Sequence, residues 1–256
     1  MMVSEIFIKM RDYLSSVVLV AGVLGLCSCA HPANTAALEK QLAVYDIEIK
    51  NGEAIKIISD LNRLNYENPD NPEILLRLAD LNASLGRNNA AVQLYKKCLA
   101  QSPDLRDAWR GLVKIYLKSE PGQALSLLEK MKTLYPGDAE ILNDYGVALD
   151  LNGRYIEAQN VYATAINLDP TLISAEVNLG LSMALSGQKE KGLALIRPYA
   201  QAADATPRTR ENYAVALIAN GRTDEARAVL SDYMPPAAVP GMLQKLTDFL
   251  KVHNSG

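Results

Sequence analysis

Glycine recurs along this chain of 256 residues at an interval of 34 positions, and this period constrains the fold more than any other feature. Gly52 is followed by Gly86, and Gly153 is followed by Gly187 and Gly221, at that spacing. The interval from Gly86 to Gly153 is 67, one residue short of two periods. A fixed period of this length is typical of stacked helix–turn–helix units, each of which packs against its neighbours. The sequence therefore predicts an all-α solenoid rather than a closed globule.

The composition agrees with such an array and argues against several functional classes. Hydrophobic residues make up 49% of the chain and charged residues 21%, so broad disorder is not expected. The net charge of −3 comes without any basic block or stripe, which argues against nucleic-acid binding. Three cysteines and two histidines supply no CxxC pair and no set of four zinc ligands. With no glycine-rich phosphate loop and no GxSxG motif, we predict no catalytic residue, no cofactor and no metal.

The beginning of the chain has the layout of an export signal. Lys9 and Arg11 precede an apolar run of 14 residues that ends at Leu26, and small polar residues follow from position 30 to 35. A membrane-spanning helix needs about 20 apolar residues, so the run is short for a span. An uncleaved signal anchor, and a cytosolic protein with a chance apolar start, are the alternatives that this pattern leaves open.

The segment Leu26-Cys27-Ser28-Cys29 resembles the lipobox of bacterial lipoproteins. The resemblance implies a signal peptide over residues 1–28, cleavage before Cys29, and acylation of the sulfur and the new amino group of Cys29. Residues 29–37 would then form a short tether to the membrane. Ala30, in place of an aspartate, is the pattern of lipoproteins sorted to the periplasmic face of the outer membrane, which is the localisation that the resemblance implies.

The register of the repeats is clearest between residues 139 and 172. One face of the predicted first helix carries apolar or small residues at helical spacing, namely Leu142, Tyr145, Gly146 and Leu149. Small and aromatic residues of the predicted second helix face back toward it, namely Ala158, Tyr162 and Ala165. Asn152-Gly153-Arg154 supplies the turn, and Asp169-Pro170 ends the unit. This pattern resembles the tetratricopeptide repeat (TPR).

The resemblance implies a TPR solenoid of about six units followed by a capping helix. The units are expected near residues 38–71, 72–105, 106–138, 139–172, 173–206 and 207–240, which together make an array over 38–240. Unit 106–138 lacks one residue in its turn, between Lys118 and Gly122, which accounts for the interval of 67. A capping helix and tail are expected over residues 241–256.

In the TPR family the first helix of each unit lines a concave face, and the resemblance places the candidate site there. The partner-binding residues predicted on this basis are Asn143, Val147, Val177, Asn178, Leu181, Asn212, Val215 and Ile218, and further lining residues include Arg110, Lys114, Asp144 and Asp150. Asn178 and Asn212 stand where peptide-binding TPR proteins often place an amide that hydrogen-bonds the ligand backbone, because an amide both donates and accepts. The apolar residues would form a floor for an amphipathic helix or an extended tail. The alternative is that asparagine is merely common at this position and that no ligand binds.

The C-terminal half resembles one group of TPR lipoproteins more closely. Its segments 177–187, 205–208, 211–217 and 221–226 are similar to the TPR lipoproteins of tight-adherence (Flp-type) pilus systems, the TadD group. The resemblance implies a non-enzymatic, lipid-anchored scaffold that binds a protein partner and assists assembly or localisation of the pilus secretin. The alternative is a periplasmic adaptor lipoprotein that docks cell-wall hydrolases or outer-membrane assembly factors.

Overall fold

The computed structural model describes residues 32–50 and 53–253, and every regular element in this part of the chain is a helix. The predicted signal peptide, Cys29 and Gly52 lie outside the described residues. The thirteen described helices are α1 (Pro32–Lys50), α2 (Ala54–Glu67), α3 (Pro72–Ser84), α4 (Asn88–Gln101), α5 (Arg106–Ser119), α6 (Pro121–Leu134), α7 (Ala139–Leu151), α8 (Tyr155–Leu168), α9 (Ile173–Leu185), α10 (Lys189–Ala200), α11 (Pro207–Ala219), α12 (Thr223–Ser231) and α13 (Val239–His253). Among them, none is long and apolar enough to cross a bilayer.

The chain divides into two compact units, Met1–Ile57 and Ile58–Gly256. In the first unit, α1 buries Leu42 and Tyr45, and the amide of Gln41 donates to the hydroxyl of Tyr45 over 2.8 Å. Helix α1 includes residues 32–37, which belong to the segment predicted as a tether, and the tether itself stays a prediction. The local sequence favours this helix, because Pro32 is well suited to the first helical position and alanine is the best helix former.

The second unit contains five complete helix pairs, α3–α4 to α11–α12, and the closing helix α13. Its first helices begin at the first residue of each of the five corresponding predicted repeats: Pro72, Arg106, Ala139, Ile173 and Pro207. The two helices of each pair pack on each other, and each first helix also contacts the first helix of the next pair. Helix α13 packs on α11 and α12. The all-α solenoid predicted from the glycine period is therefore confirmed.

The turns explain both the period and its one exception. Gly86, Gly153, Gly187 and Gly221 have φ of 72°, 73°, 95° and 74°, a left-handed conformation that only glycine adopts without strain. The turn between α5 and α6 consists of Glu120 alone, and Pro121 starts the next helix directly. This turn is two residues shorter than the turns with a left-handed glycine, and α5, with 14 residues, is one residue longer than the other first helices of this unit, which have 13. The repeat is therefore one residue shorter at this place.

The helix pairs are held by an apolar core in which small residues allow close approach. Gly146 lies under the ring of Tyr162, and Gly180 lies against Gly192 and Ile196. Ile196 is fully buried and Tyr162 is 1% exposed. Pro198 falls in the last turn of α10, which has 12 residues where α4, α6 and α8 have 14.

The buried thiol of Cys98 belongs to this core and is expected to react slowly. It donates to the carbonyl oxygen of Pro72 over 3.2 Å, and burial, with the nearby charge of Asp80, raises the pKa of Cys98 to about 11. Since the thiolate is the reactive form, we expect alkylation of native Cys98 at pH 8 to be about 100-fold slower than in guanidinium chloride. Mass spectrometry of the tryptic fragment that carries Cys98 measures both rates. Equal rates in the two conditions would contradict the burial of this thiol.

Candidate partner-binding groove

The inner face of the second unit encloses a groove of about 620 Å³. The first helices α5, α7, α9 and α11 line it, together with residues of α8 and the side chain of Phe249 on α13. Because each first helix contacts the next, the lining side chains come from positions about one repeat apart in the sequence. The groove is therefore a direct product of the repeat register.

A chain of three asparagine side chains crosses the groove. The amide nitrogen of Asn178 donates to the amide oxygen of Asn143 over 2.9 Å, and that of Asn212 donates to the amide oxygen of Asn178 over 3.2 Å. Asn143 and Asn178 are only 8% and 7% exposed. These hydrogen bonds fix the orientation of the three amides, so the lining is preorganised before any ligand binds.

Charged side chains occupy one wall of the groove, on α5, α7 and α11. Arg110 pairs with Glu140 over 3.0 Å, and Arg106 also reaches Glu140 over 2.9 Å. Burial raises the pKa of Asp144, while the positive charges of Arg110 and Arg208 oppose that rise. The carboxylates on this wall are thus largely compensated by arginines of the neighbouring first helices.

Asp150, at the end of α7, is held differently. Its two carboxylate oxygens accept from the hydroxyl of Ser182 over 2.6 Å and from that of Tyr162 over 2.9 Å. Burial raises the pKa of Asp150 to about 7, although both hydrogen bonds act in the opposite direction. This one side chain therefore joins α7 to both α8 and α9.

The structure brings five of the eight predicted partner-binding residues to the groove surface. Asn143, Val147, Asn178, Leu181 and Asn212 all line it. Contact with a partner stays a prediction for each of them.

The remaining three predicted residues do not line the groove. Val177 and Val215 are 2% and 5% exposed within the apolar cluster of the last two repeats, and the partly buried Ile218 packs against that cluster. Val177 lies next to the lining residue Asn178 in sequence but about 100° away around the helix, which turns it inward. The expected apolar floor is formed by other side chains, including Val147, Leu151 and Leu185.

Sequence reasoning missed several lining residues. Among them, Tyr155 is at the start of the second helix α8, Phe249 is on the closing helix, and Arg208 is in the first turn of α11. Arg208 follows the lining residues Glu140 and Ser174 at the 34-residue period, so this period could have found it, whereas no such signal marks Tyr155 or Phe249. Among the described residues, no group of three or more His, Cys, Asp or Glu could hold a metal ion.

Comparison with protein families identifies the repeats. Three family models, each described as a tetratricopeptide repeat, match residues 72–115, 139–172 and 207–231. The repeats of this chain are therefore tetratricopeptide repeats. This fold is a protein-binding scaffold that is typically non-catalytic, and its stacked helices form the concave surface that such proteins use for binding.

Individual relatives share the repeats and cover limited parts of longer proteins. The uncharacterized protein y4yS of Sinorhizobium fredii is 30% identical over 112 residues, which cover 44% of this chain and 52% of y4yS. The peroxisomal targeting signal receptor of Candida albicans is 26% identical over 176 residues, which cover 64% of this chain and 29% of the receptor. The chain thus spans about half the length of y4yS and less of the receptor.

Solved structures with low sequence identity share the fold. A tetratricopeptide repeat protein from Parabacteroides merdae superimposes with a TM-score of 0.68 at 16% identity, over 95% of this chain and 98% of that one. The pilF protein of Pseudomonas aeruginosa gives a TM-score of 0.60 at 13% identity, over 76% and 89%. A thermophilic TPR protein of Thermus thermophilus gives 0.56 at 23%, over 70% and 98%. At these identities the likeness establishes the architecture alone.

Proposed function

We propose that this chain is an outer-membrane-anchored TPR scaffold whose groove holds a segment of a protein partner, and that it assists assembly or localisation of a tight-adherence pilus secretin. The observation that carries the partner-binding part is the preorganised asparagine chain across a groove of about 620 Å³. That volume lies within the range of sites that enclose compact ligands, and an open groove can hold a few side chains of a longer segment.

The asparagine chain supports binding of a polypeptide backbone in particular. An amide side chain offers two N–H donors and an oxygen with two lone pairs, and the hydrogen bonds among Asn143, Asn178 and Asn212 use only part of that capacity. The unused donors and acceptors can meet the carbonyl and N–H groups of an extended or helical segment. Beside them, Val147 and Leu181 offer apolar contact area.

The membrane and pilus parts of the proposal rest on sequence resemblance. The lipobox-like segment that ends at Cys29 supports a lipid anchor, and several acyl chains together hold a protein at a bilayer far more firmly than one. The similarity of the C-terminal half to the TadD group supports a secretin as the partner. A lipid anchor and a peptide-binding groove on one chain suffice physically to keep a secretin subunit at the outer membrane.

Complementation of a gene deletion tests the proposal. Deletion is expected to leave fewer secretin multimers in the outer-membrane fraction, and the wild-type gene is expected to restore them. Leu181→Glu places a charge on the groove surface and is expected to restore less than about a tenth of the multimers, because the apolar contact is lost. The readout is the amount of secretin multimer in fractionated membranes.

Two further variants separate the groove from the anchor. Ile156→Glu makes the same change at a side chain that is 62% exposed and does not line the groove, and it is expected to restore multimers fully. Cys29→Ser is expected to release the protein from the membrane fraction. Normal multimers and normal pili in the deletion strain would refute the pilus role. Co-purification with cell-wall hydrolases or outer-membrane assembly factors would then favour the adaptor alternative.

A further inference from the structure

The part of the groove around Asp150 combines one carboxylate with aromatic and apolar side chains. Tyr155 and Tyr162 lie beside Asp150, and Leu181 and Leu185 line the same groove from α9. The charge of Asp150 contributes to raising the pKa of Tyr155, so the carboxylate and this phenol share one environment. Tyr162 is buried, so Tyr155 is the aromatic side chain that a ligand can reach. An acceptor next to an aromatic ring and aliphatic side chains matches the chemistry of a long cationic side chain.

Asp150 has no cationic partner among the described residues, in contrast to other acidic side chains of this region. Asp138 and Glu140, at the start of the same helix, form ion pairs with Arg106. Asp150 accepts hydrogen bonds from two neutral hydroxyl groups, and no salt bridge involves it in the described part of the chain. A carboxylate has about four lone-pair positions, so two hydrogen bonds leave acceptor capacity for a ligand.

The other carboxylates that line the groove are less suited to bind a cation. Glu140 pairs with Arg106 and Arg110, and Asp144 lies in the positive field of arginines that already compensates its charge. Asp150 instead is held by two neutral hydroxyl groups, and its partly buried position strengthens the attraction to an incoming charge relative to a site in bulk water. Of the three carboxylates, Asp150 therefore gains most from a cationic ligand.

We propose that Asp150 and the partly exposed Tyr155 beside it form a subsite for a lysine or arginine side chain of the segment that occupies the groove. In this arrangement the aliphatic part of the side chain lies along Leu181 and Leu185, and its charged end pairs with the carboxylate. The inference rests on the proposed function, because it names the chemistry of the bound segment. It adds a specificity element that a backbone-binding asparagine chain does not provide.

Selection from a peptide library tests this subsite without knowledge of the natural partner. Detergent-solubilised full-length protein is immobilised at pH 8, where Asp150 is ionised, and incubated with a library of random nonapeptides. Sequencing of the retained peptides is expected to give about tenfold enrichment of Lys or Arg at one position. Asp150→Asn keeps the shape of the side chain but removes its charge, and is expected to abolish that enrichment while peptides are still retained.

Asp232→Asn is the matched control, because Asp232 is exposed at the end of α12 and does not line the groove. This variant is expected to keep the full cationic preference. Retention of peptides without cationic enrichment, or enrichment that survives Asp150→Asn, would overturn the subsite and leave the proposed function standing. Failure of the wild-type protein to retain any peptide would overturn the subsite together with groove binding itself.

Discussion

Replacement of Gly192 by alanine is expected to lower the free energy of unfolding by about 3 kcal/mol. A Cβ atom at this position would lie 2.3 Å from the carbonyl oxygen of Gly180 and 2.6 Å from the backbone nitrogen of Ala184. Both atoms belong to the backbone of α9, so no side-chain rotation relieves the overlap. The pair α9–α10 has to separate, and the packing around Ile196 weakens with it.

Thermal and denaturant unfolding of the purified protein measure this loss, and hydrogen exchange of α9 and α10 locates it. Gly122→Ala is the matched control, because a Cβ atom there meets nothing within 4 Å and Gly122 is the second residue of α6. Removing a glycine at such a position is expected to stabilise the protein slightly, by about 0.5 kcal/mol. An alanine at position 192 that changes the unfolding free energy by less than about 0.5 kcal/mol would contradict the described approach of α9 and α10.

Replacement of Asp150 by asparagine is expected to change how stability depends on pH. Burial raises the pKa of Asp150 from 3.8 to about 7 in the folded state, so the folded protein binds this proton more tightly than the unfolded chain does. The resulting stabilisation is fully present below pH 3.8 and is lost as the pH rises through about 7. Wild-type protein therefore loses this contribution between pH 5 and pH 8, whereas Asp150→Asn has no such proton to lose.

The size of the effect follows from the interval between the two pKa values. The interval from 3.8 to about 7 corresponds to roughly 4 kcal/mol as an upper bound, part of which is already lost at pH 5. Because the carboxylate also faces the groove, we expect an effect smaller than this bound. The free energy of unfolding of Asp150→Asn minus that of the wild type should rise by on the order of 2 kcal/mol from pH 5 to pH 8. Other groups with a raised pKa, such as Asp80 and Asp144, are present in both proteins, so their contributions cancel in the difference between the two stabilities.

Urea unfolding of both proteins at pH 5 and pH 8 measures the difference. The exposed Asp232→Asn substitution should follow the wild type at both pH values. A relative stability of Asp150→Asn that is the same at pH 5 and pH 8 would show that Asp150 ionises at its ordinary pKa. The same comparison also establishes that the variant is folded at pH 8, where the peptide selection is carried out.

Local sequence signals were sufficient for the helices of the second unit because their ends depend on neighbouring residues. Gly153 and Gly187 mark turns through their backbone conformation, and Pro72 and Pro207 stand at helix starts. Pro32 likewise stands at the start of α1, inside the segment predicted as a tether. The tether follows from the lipobox resemblance and stays a prediction, while the residues themselves favour a helix.

The site was only partly predictable, because a lining position depends on contacts between repeats. The sequence placed Asn143, Asn178 and Asn212 on first helices about one repeat apart, but it did not show that their amides bond to one another. It also placed Val177 and Val215 at the surface, whereas both are buried. Neighbouring residues on a helix differ by about 100° in direction, so a small error in rotation exchanges a groove residue for a core residue.

From sequence alone the chain is an all-α array of TPR units with a lipobox-like start, because glycine turns and helical spacing act within one repeat. The tertiary structure alone decided that Asp150 meets Ser182 and Tyr162, and that Phe249 reaches the groove. Those contacts join residues of different helices, some of them several repeats apart. Their formation depends on the rotation and curvature of the stacked helices, which no local pattern encodes.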